Sequence, residues 1–308
     1  DGKLQAAGTA TAPIVFTGEL PLRGYWNGLH FSSSDSTANT LEHVTIEYGG
    51  GYDFYDFFAR EEARANLVLS GTGSTSTRVS INNCTLRESA GVGFYTGAEV
   101  AIETFSENTI TDNAVGAGFT AAPVLSFLGG DNTYSGNDVD VVFVSGEDVF
   151  ADQTWSAIDA DYVFISGMWV QAALTIEPGV SLKFRSGTEL SVLASGSLSA
   201  VGTAEAPILF TGEVSEPGAW YGLFFRSSDS PLNRLEHVTV QYGGGNFFPG
   251  EPRANLMVKQ SQITVTNSTL SNAYGWGVWV SNDSTVNADL ETANSILGNS
   301  SGDVYLQP

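Results

Sequence analysis

The 308-residue sequence is short of positive charge. Lys and Arg together number 12 against 34 Asp and Glu, a net charge of −22, and lysine occurs only at Lys3, Lys183 and Lys259. A field of that sign repels phosphate, which argues against nucleic acid and against an anionic membrane surface as partners. Cysteine is reduced to Cys84, so no intrachain disulfide can form and stability must come from packing. No apolar run approaches the roughly 18 residues that a membrane-spanning helix needs, which excludes that mode of insertion. Histidine occurs three times, and no HxxxH, HExxH or Cys/His cluster is present, which excludes the usual zinc motifs. A sustained 3.6-residue hydrophobic period is missing as well, so a helical protein is not expected.

What the chain does contain is repetition. Residues 2–51 align without a gap with residues 196–245, with 32 identities in 50 positions. GTATAPIVFTGE pairs with GTAEAPILFTGE, and LEHVTIEYGGG with LEHVTVQYGGG. RANLVLS at Arg64 then matches RANLMVK at Arg253, and NNCTL matches TNSTL. One long unit has been duplicated, and its first copy carries short insertions. A looser period lies inside each copy. Asn83, Asn108 and Asn132, and again Asn267 and Asn294, recur at 24–27 residues. Between them lie short segments that alternate apolar and polar residues, broken by Gly, Asn, Asp and Ser, as in half-buried strands. Asn tolerates the left-handed backbone region, so it is expected at a tight corner in each coil. A recurrence near 25 residues favours a solenoid over an antiparallel sandwich. Residues expected in stacked core ranks include Val44, Ile46, Leu67, Ile81, Leu86, Ile110, Val124, Val141, Phe143, Phe184, Phe210, Leu223, Phe225, Val240, Leu256 and Leu270.

The run LTIEPGVSLKF at Leu174, followed by GTEL, GSLSAVGTAEAPILFTG, W-x-G-L-x-F and LEHVTVQYGGG, resembles the repeat of secreted and surface-attached bacterial right-handed parallel β-helix proteins of the pectate-lyase-like fold. The resemblance implies an all-β, right-handed parallel β-helix built from two duplicated halves, residues 1–150 and 151–308, continuous in one solenoid. It implies a fold more than an activity, because the same coil carries lyases, hydrolases, adhesins, carbohydrate binders and structural shafts.

Candidate sites follow from residue chemistry. His43 and His237 occupy the same place in LEHV beside Glu42 and Glu236. Their duplication on an outward strand position favours a structural role over an acid–base pair. A pectin-type lyase needs carboxylates for Ca²⁺ and a basic residue. Lys183 and Arg185 are the best-placed bases, with Glu177 and Glu189 nearby, although a solvated charged strand face is the simpler explanation. Cys84, replaced by Ser268 in the second copy, reads as a packed corner residue. Asp131, Asp138 and Asp140, in GGDNTYSGNDVDV, are the candidate Ca²⁺ ligands, and no other cofactor is implied. The segment 49–66 replaces a shorter one in the second copy and is expected to bulge as a loop or short helix. Tyr52, Phe54, Tyr55, Phe57 and Phe58 on it, Phe247 and Phe248 in the second copy, and Trp279 are the candidate glycan- or partner-binding residues.

The resulting expectation is a non-enzymatic extracellular or cell-surface β-helix acting as stalk, adhesin, matrix or filament component. Glycans or other surface proteins are its expected partners. The alternatives are a polysaccharide lyase or hydrolase, and a carbohydrate-binding module. Neither terminus carries a visible cap, which raises the expectation of a segment of a longer protein or of head-to-tail self-association.

Overall fold

The structure, a computed structural model, describes residues 2–52, 54–56, 61–71, 76–97, 99–246 and 250–308, with the side chains of 54–56 and 61–63 left aside. The chain divides into two compact units, Asp1–Ser145 with Ile158–Asp161, and Gly146–Ala157 with Tyr162–Pro308. Each is a parallel β-helix whose coils contribute one short strand to each of three sheets.

In the first unit, Gln5–Ala7, Thr40–Glu42, Thr77–Asn82 and Val100–Ser106 form the first face. Ile14–Phe16, Val44–Glu47, Thr85–Arg87 and Thr109–Thr111 form the second. Leu29–Ser32, Ala65–Ser70, Val92–Thr96, Gly116–Ala121 and Val141–Ser145 form the third. In the second unit the first face runs from Gln153–Trp155 to Thr285–Val286, and the second from Asp161–Phe164 to Ser295–Leu297. Its third face comprises Met168–Val170, Glu189–Val192, Gly222–Arg226, Ala254–Lys259, Trp276–Val280 and Gly302–Leu306. Neighbours within these faces pair in parallel, so equivalent residues of successive coils stack in columns.

Alternation decides what those columns contain. Leu41, Ile46, Leu67, Ile81, Leu86 and Ile110 of the first unit are fully buried, and so are Leu182, Phe210, Leu223, Phe225, Val240, Leu256 and Leu270 of the second. An aromatic ladder fills the second unit's interior. Trp155 packs on Phe164 at 5.7 Å, Phe164 stacks on Phe184 at 5.0 Å, and Phe184 stacks on Trp220 at 4.3 Å. Full burial of such rings is the main favourable term, because each removes a large apolar area from water.

At the tightest corners between the first and second faces one residue takes the left-handed region. His43, Asn83, Glu107, His237 and Asn267 have φ of 48–54°. The expectation of Asn there holds for Asn83 and Asn267 and fails for Asn108, Asn132 and Asn294. Asn108 follows the corner residue and turns inward. Its Oδ1 accepts from the Cys84 N–H at 3.0 Å, and its Nδ2 donates to Ile81 O at 3.0 Å. The Asn108 N–H donates in turn to Asn132 Oδ1 at 2.9 Å. Ser89, Asn113 and Asn137 repeat the device at the next corner, and Asn294 and Asn299 use it in the second unit. The 24–27-residue period is thus mainly that of an internal amide ladder, which satisfies backbone N–H groups that the turning chain leaves without a strand partner.

Four further local expectations are corrected. In VVFV the phase is shifted by one. Val142 and Val144 lie in register with the core columns and are fully buried, whereas Phe143 is half-buried on the outer side beside Phe119. Four successive strand-favouring residues hide their own phase. Strict alternation from Val44 and Ile46 would make Tyr48 the next inward residue. It takes φ +61° and is half-buried, while Glu47 is buried and ion-paired with Arg87. VLSFL alternates as a strand would, yet Val124–Phe127 lie in a 3₁₀ helix, Ala122–Phe127, opened by Pro123, with Leu128 as its C-cap. The insertion of the first copy is neither a loop nor a short helix over its described backbone. Phe54–Asp56 and Glu61–Ala63 pair antiparallel as a hairpin, off the parallel sheets. Among the described residues, no helix is long and apolar enough to cross a membrane.

Candidate functional site

The outer side of the second unit's third face is where chemistry accumulates. Strand alternation sends Met168 and Val170 inward and Trp169 outward, and register extends that outer column as Trp169, Ser191, Phe224, Met257, Trp279 and Tyr305. Ser191, Phe224 and Met257 are buried, whereas Trp169 is 47% exposed and Trp279 is half-buried. Trp279 stacks on Tyr305 at 6.3 Å, and Trp276 tilts against Tyr305 at 5.1 Å. These three rings form one aromatic wall.

Beside the wall, at the corner leading into the third face, lies a concavity of about 470 Å³ lined by Glu251, Arg253, Tyr274, Gly275, Trp276, Ser300 and Ser301. Two glycines make it. Gly275, at φ +150°, lets the Trp276 N–H reach Arg253 O at 2.8 Å, where a Cβ would stand 2.1 Å from that oxygen. Gly302, at φ +136°, leaves room for the Trp276 ring. Arg253 lies over the Tyr274 ring at 5.0 Å, a cation–π contact, and Tyr274 is half exposed. Glu251 accepts from Lys259 Nζ at 3.2 Å, and its other oxygen, Oε2, is buried without a hydrogen-bond partner among the described residues. A buried acceptor left in that state is costly, and a polar group entering beside it would relieve the cost.

A second polar cluster sits lower on the same face. Glu189 is buried in the outer layer, and burial pushes its carboxyl up to about 7, against the opposing pull of the Arg226 charge and of the hydrogen bond from Trp169. Arg226 lies over the Phe224 ring at 5.0 Å. Ser191 Oγ, between Trp169 and Phe224 in register, is buried with no hydrogen-bond partner among the described residues.

The residues singled out from the sequence fall as follows. Trp279 belongs to the aromatic wall. Tyr52 is 61% exposed at the base of the hairpin. Phe57, Phe58, Phe247 and Phe248 lie outside the described residues, as do the side chains of Phe54 and Tyr55. The candidate calcium ligands are engaged locally. Asp131 accepts from Asn132 Nδ2 at 2.9 Å, Asp138 pairs with Arg23 at 3.1 Å, and Asp140 accepts from the Asn137 N–H at 2.9 Å. Among the described residues, no group of three His, Cys, Asp or Glu side chains is arranged to hold a metal ion.

Lys183 and Arg185 belong to the second face, Arg185 facing Glu213 at 3.4 Å, while Glu189 lies on the third. His43 and His237 are corner residues at φ +48°, a region in which His is enriched. Cys84 is buried, its thiol is pushed up to about 11 by burial, and its Sγ donates to Asn82 O.

Sequence reasoning passed over Tyr274, Arg253 and the Ser300–Ser301 pair. Gly298-Asn299-Ser300-Ser301-Gly302 has the spacing of a nucleophile elbow. It lies between two strands rather than before a helix, and Ser300 Oγ donates to Ala273 O at 3.1 Å. The usable signal was the duplication itself: Tyr274, Trp276, Ser300 and Ser301 stand where the first copy has Ala90, Val92, Ala114 and Val115.

No protein-family model, no curated protein and no solved structure matches this chain. The class the fold defines is a parallel β-helix.

Proposed function

We propose that this chain is a surface-displayed β-helix that binds glycans through the concavity and aromatic wall of its second unit. The observation that carries the reading is the conjunction of Tyr274, Trp276, Arg253 and Glu251 around one open concavity. Aromatic faces stack on the apolar faces of sugar rings, while a few fixed polar groups take up the hydroxyls. The second copy has these rings and hydroxyls where the first has small apolar residues, and the fold accommodates both sets. An exposed, extracellular setting suits the acidic, lysine-poor surface.

A glycan microarray identifies a ligand, and isothermal titration then compares the parent chain with W276A and Y274A. The expected result is a loss of about three- to tenfold in affinity for each variant, the size of one lost stacking contact. Absence of glycan binding, or binding indifferent to both substitutions, contradicts the proposal.

One observation favours the enzymatic alternative: Glu189 is a carboxyl poised to hold a proton at neutral pH beside Arg226 and an exposed tryptophan. Release of reducing ends or unsaturated products that disappears in E189Q would support it.

A further inference from the structure

The charge balance of the concavity narrows the class of sugar, and the step taken here rests on the glycan-binding reading. In a chain with a net charge of −22, cations find carboxylates easily. Arg23 pairs with Glu88 and Asp138, Arg78 with Glu103, Arg87 with Glu47, Arg185 with Glu213, Arg234 with Glu236, and Lys259 with Glu251. Arg253 differs. Among the described residues its guanidinium has no ion pair and no hydrogen-bond acceptor, and it rests on the Tyr274 ring at 5.0 Å. The adjacent carboxylate, Glu251, is engaged with Lys259 at 3.2 Å.

A guanidinium is a rigid fork of donors matched to the two oxygens of a carboxylate, and stacking on a ring holds the plane of that fork in place. Arg64 occupies the corresponding position in the first copy, but Ala90 replaces the tyrosine that would orient it. The hydroxyls of Ser300 and Ser301 and the faces of Tyr274 and Trp276 line the rest of the space. They suit neutral hydroxyls and ring faces rather than further charge. Beyond the concavity the protein is acidic, so every additional negative charge on a ligand meets repulsion.

We infer that the concavity takes a glycan carrying a single carboxylate on an otherwise neutral chain, and that Arg253 is the specificity-determining residue that reads this carboxylate. A polyuronate, charged at every sugar, is the poorer ligand.

The test is isothermal titration of the full chain with four probes: a xylo-oligosaccharide bearing one glucuronate branch, the same oligosaccharide without the branch, its monosulfated counterpart, and trigalacturonate. R253Q and R253K are measured in parallel, with thermal unfolding as the check on folding. The singly carboxylated probe is expected to bind about tenfold or more tighter than the neutral one, as a charge-assisted bidentate contact provides. R253Q should erase that preference. R253K, which keeps the charge without the fork, should restore it only in part. Equal affinity for the charged and neutral probes overturns the inference and leaves glycan binding intact. So does a preference that survives in R253Q, or tighter binding of trigalacturonate or of the sulfated probe. Failure of all four probes to bind overturns the glycan-binding reading itself, and the inference with it.

Discussion

The two copies of the repeat differ mainly on their outer side. On one strand of the third face, Leu29 and Phe31 of the first copy correspond to Leu223 and Phe225 of the second, and these point into the coil. The residues between and after them point outward and have diverged, His30 to Phe224 and Ser32 to Arg226. The corner that follows shows the same split. Arg64 and Arg253 are retained, and each accepts from the next coil's backbone at 2.8 Å. Around them Ala90, Val92, Ala114 and Val115 have become Tyr274, Trp276, Ser300 and Ser301. Core columns are constrained by stacking against equivalent residues on both sides, because a change in one coil creates a void or a clash in its neighbours. Outer columns carry no such constraint, and function can be written there.

That contrast can be broken most severely from the inside. Phe184→Ala removes the ring that stacks on both Phe164 and Trp220. It should cost about 3–5 kcal/mol in urea unfolding, and a loss below 1 kcal/mol, by the same standard, would mean that the ladder is not a packed core.

Glu189 tests whether the outer layer tolerates burial without cost. Its carboxyl is raised to about 7, so in the folded chain it binds more protons than in the unfolded chain between its ordinary value and about 7. Stability should therefore be full in acid and should fall as pH rises through that window, by up to about 3 kcal/mol. E189Q should flatten the profile and be the more stable form above neutral pH. A parent profile that instead rises from pH 5 to 8 by denaturant unfolding contradicts the assignment.

The amide ladder comes next. Asn108→Ala leaves the Cys84 N–H without its acceptor and should cost about 1–3 kcal/mol. The same change at exposed Asn282 should cost little, so equal effects at the two sites would remove the ladder's role. The corner histidines give the smallest effect. H237G should be nearly neutral, and H237V should lose about 1 kcal/mol, because a branched side chain is strained at φ +48°. Indistinguishable melting of the two variants would mean that side-chain contacts rather than backbone conformation select histidine there.

Much of this was legible in advance because a solenoid writes its period into the sequence. The gapless match of residues 2–51 with 196–245 and the alternation in VTIEY and LKF placed Val44, Ile46, Leu182 and Phe184 in the core. Phase was lost where β-branched and aromatic residues occupy both sides, as at Val141–Val144, since both layers of the third face are apolar there. The role of asparagine was only half legible. An αL corner and an inward amide ladder favour the same residue for different reasons, and only geometry separates Asn83 from Asn108.

The site was the least legible part. Glu251, Arg253, Tyr274, Trp276 and Ser300 are scattered over 50 residues and meet only because successive coils stack. The aromatic-rich insertion of the first copy is the louder signal in the sequence. Trp279 is legible as an aromatic within a strand-like run, whereas Tyr274 sits at a corner outside any strand.

The central claim is that the second copy's outer substitutions make a glycan site that the first copy lacks. The most direct measurement is titration of the best array-identified oligosaccharide into the parent chain and into the double variant Y274A/W276V, which restores the first copy's residues at those two places. The account predicts that the parent binds at one site and that the variant folds with a nearly unchanged melting temperature but binds about ten- to a hundredfold more weakly, two lost stacking contacts together. Undiminished binding in a folded Y274A/W276V chain would contradict it.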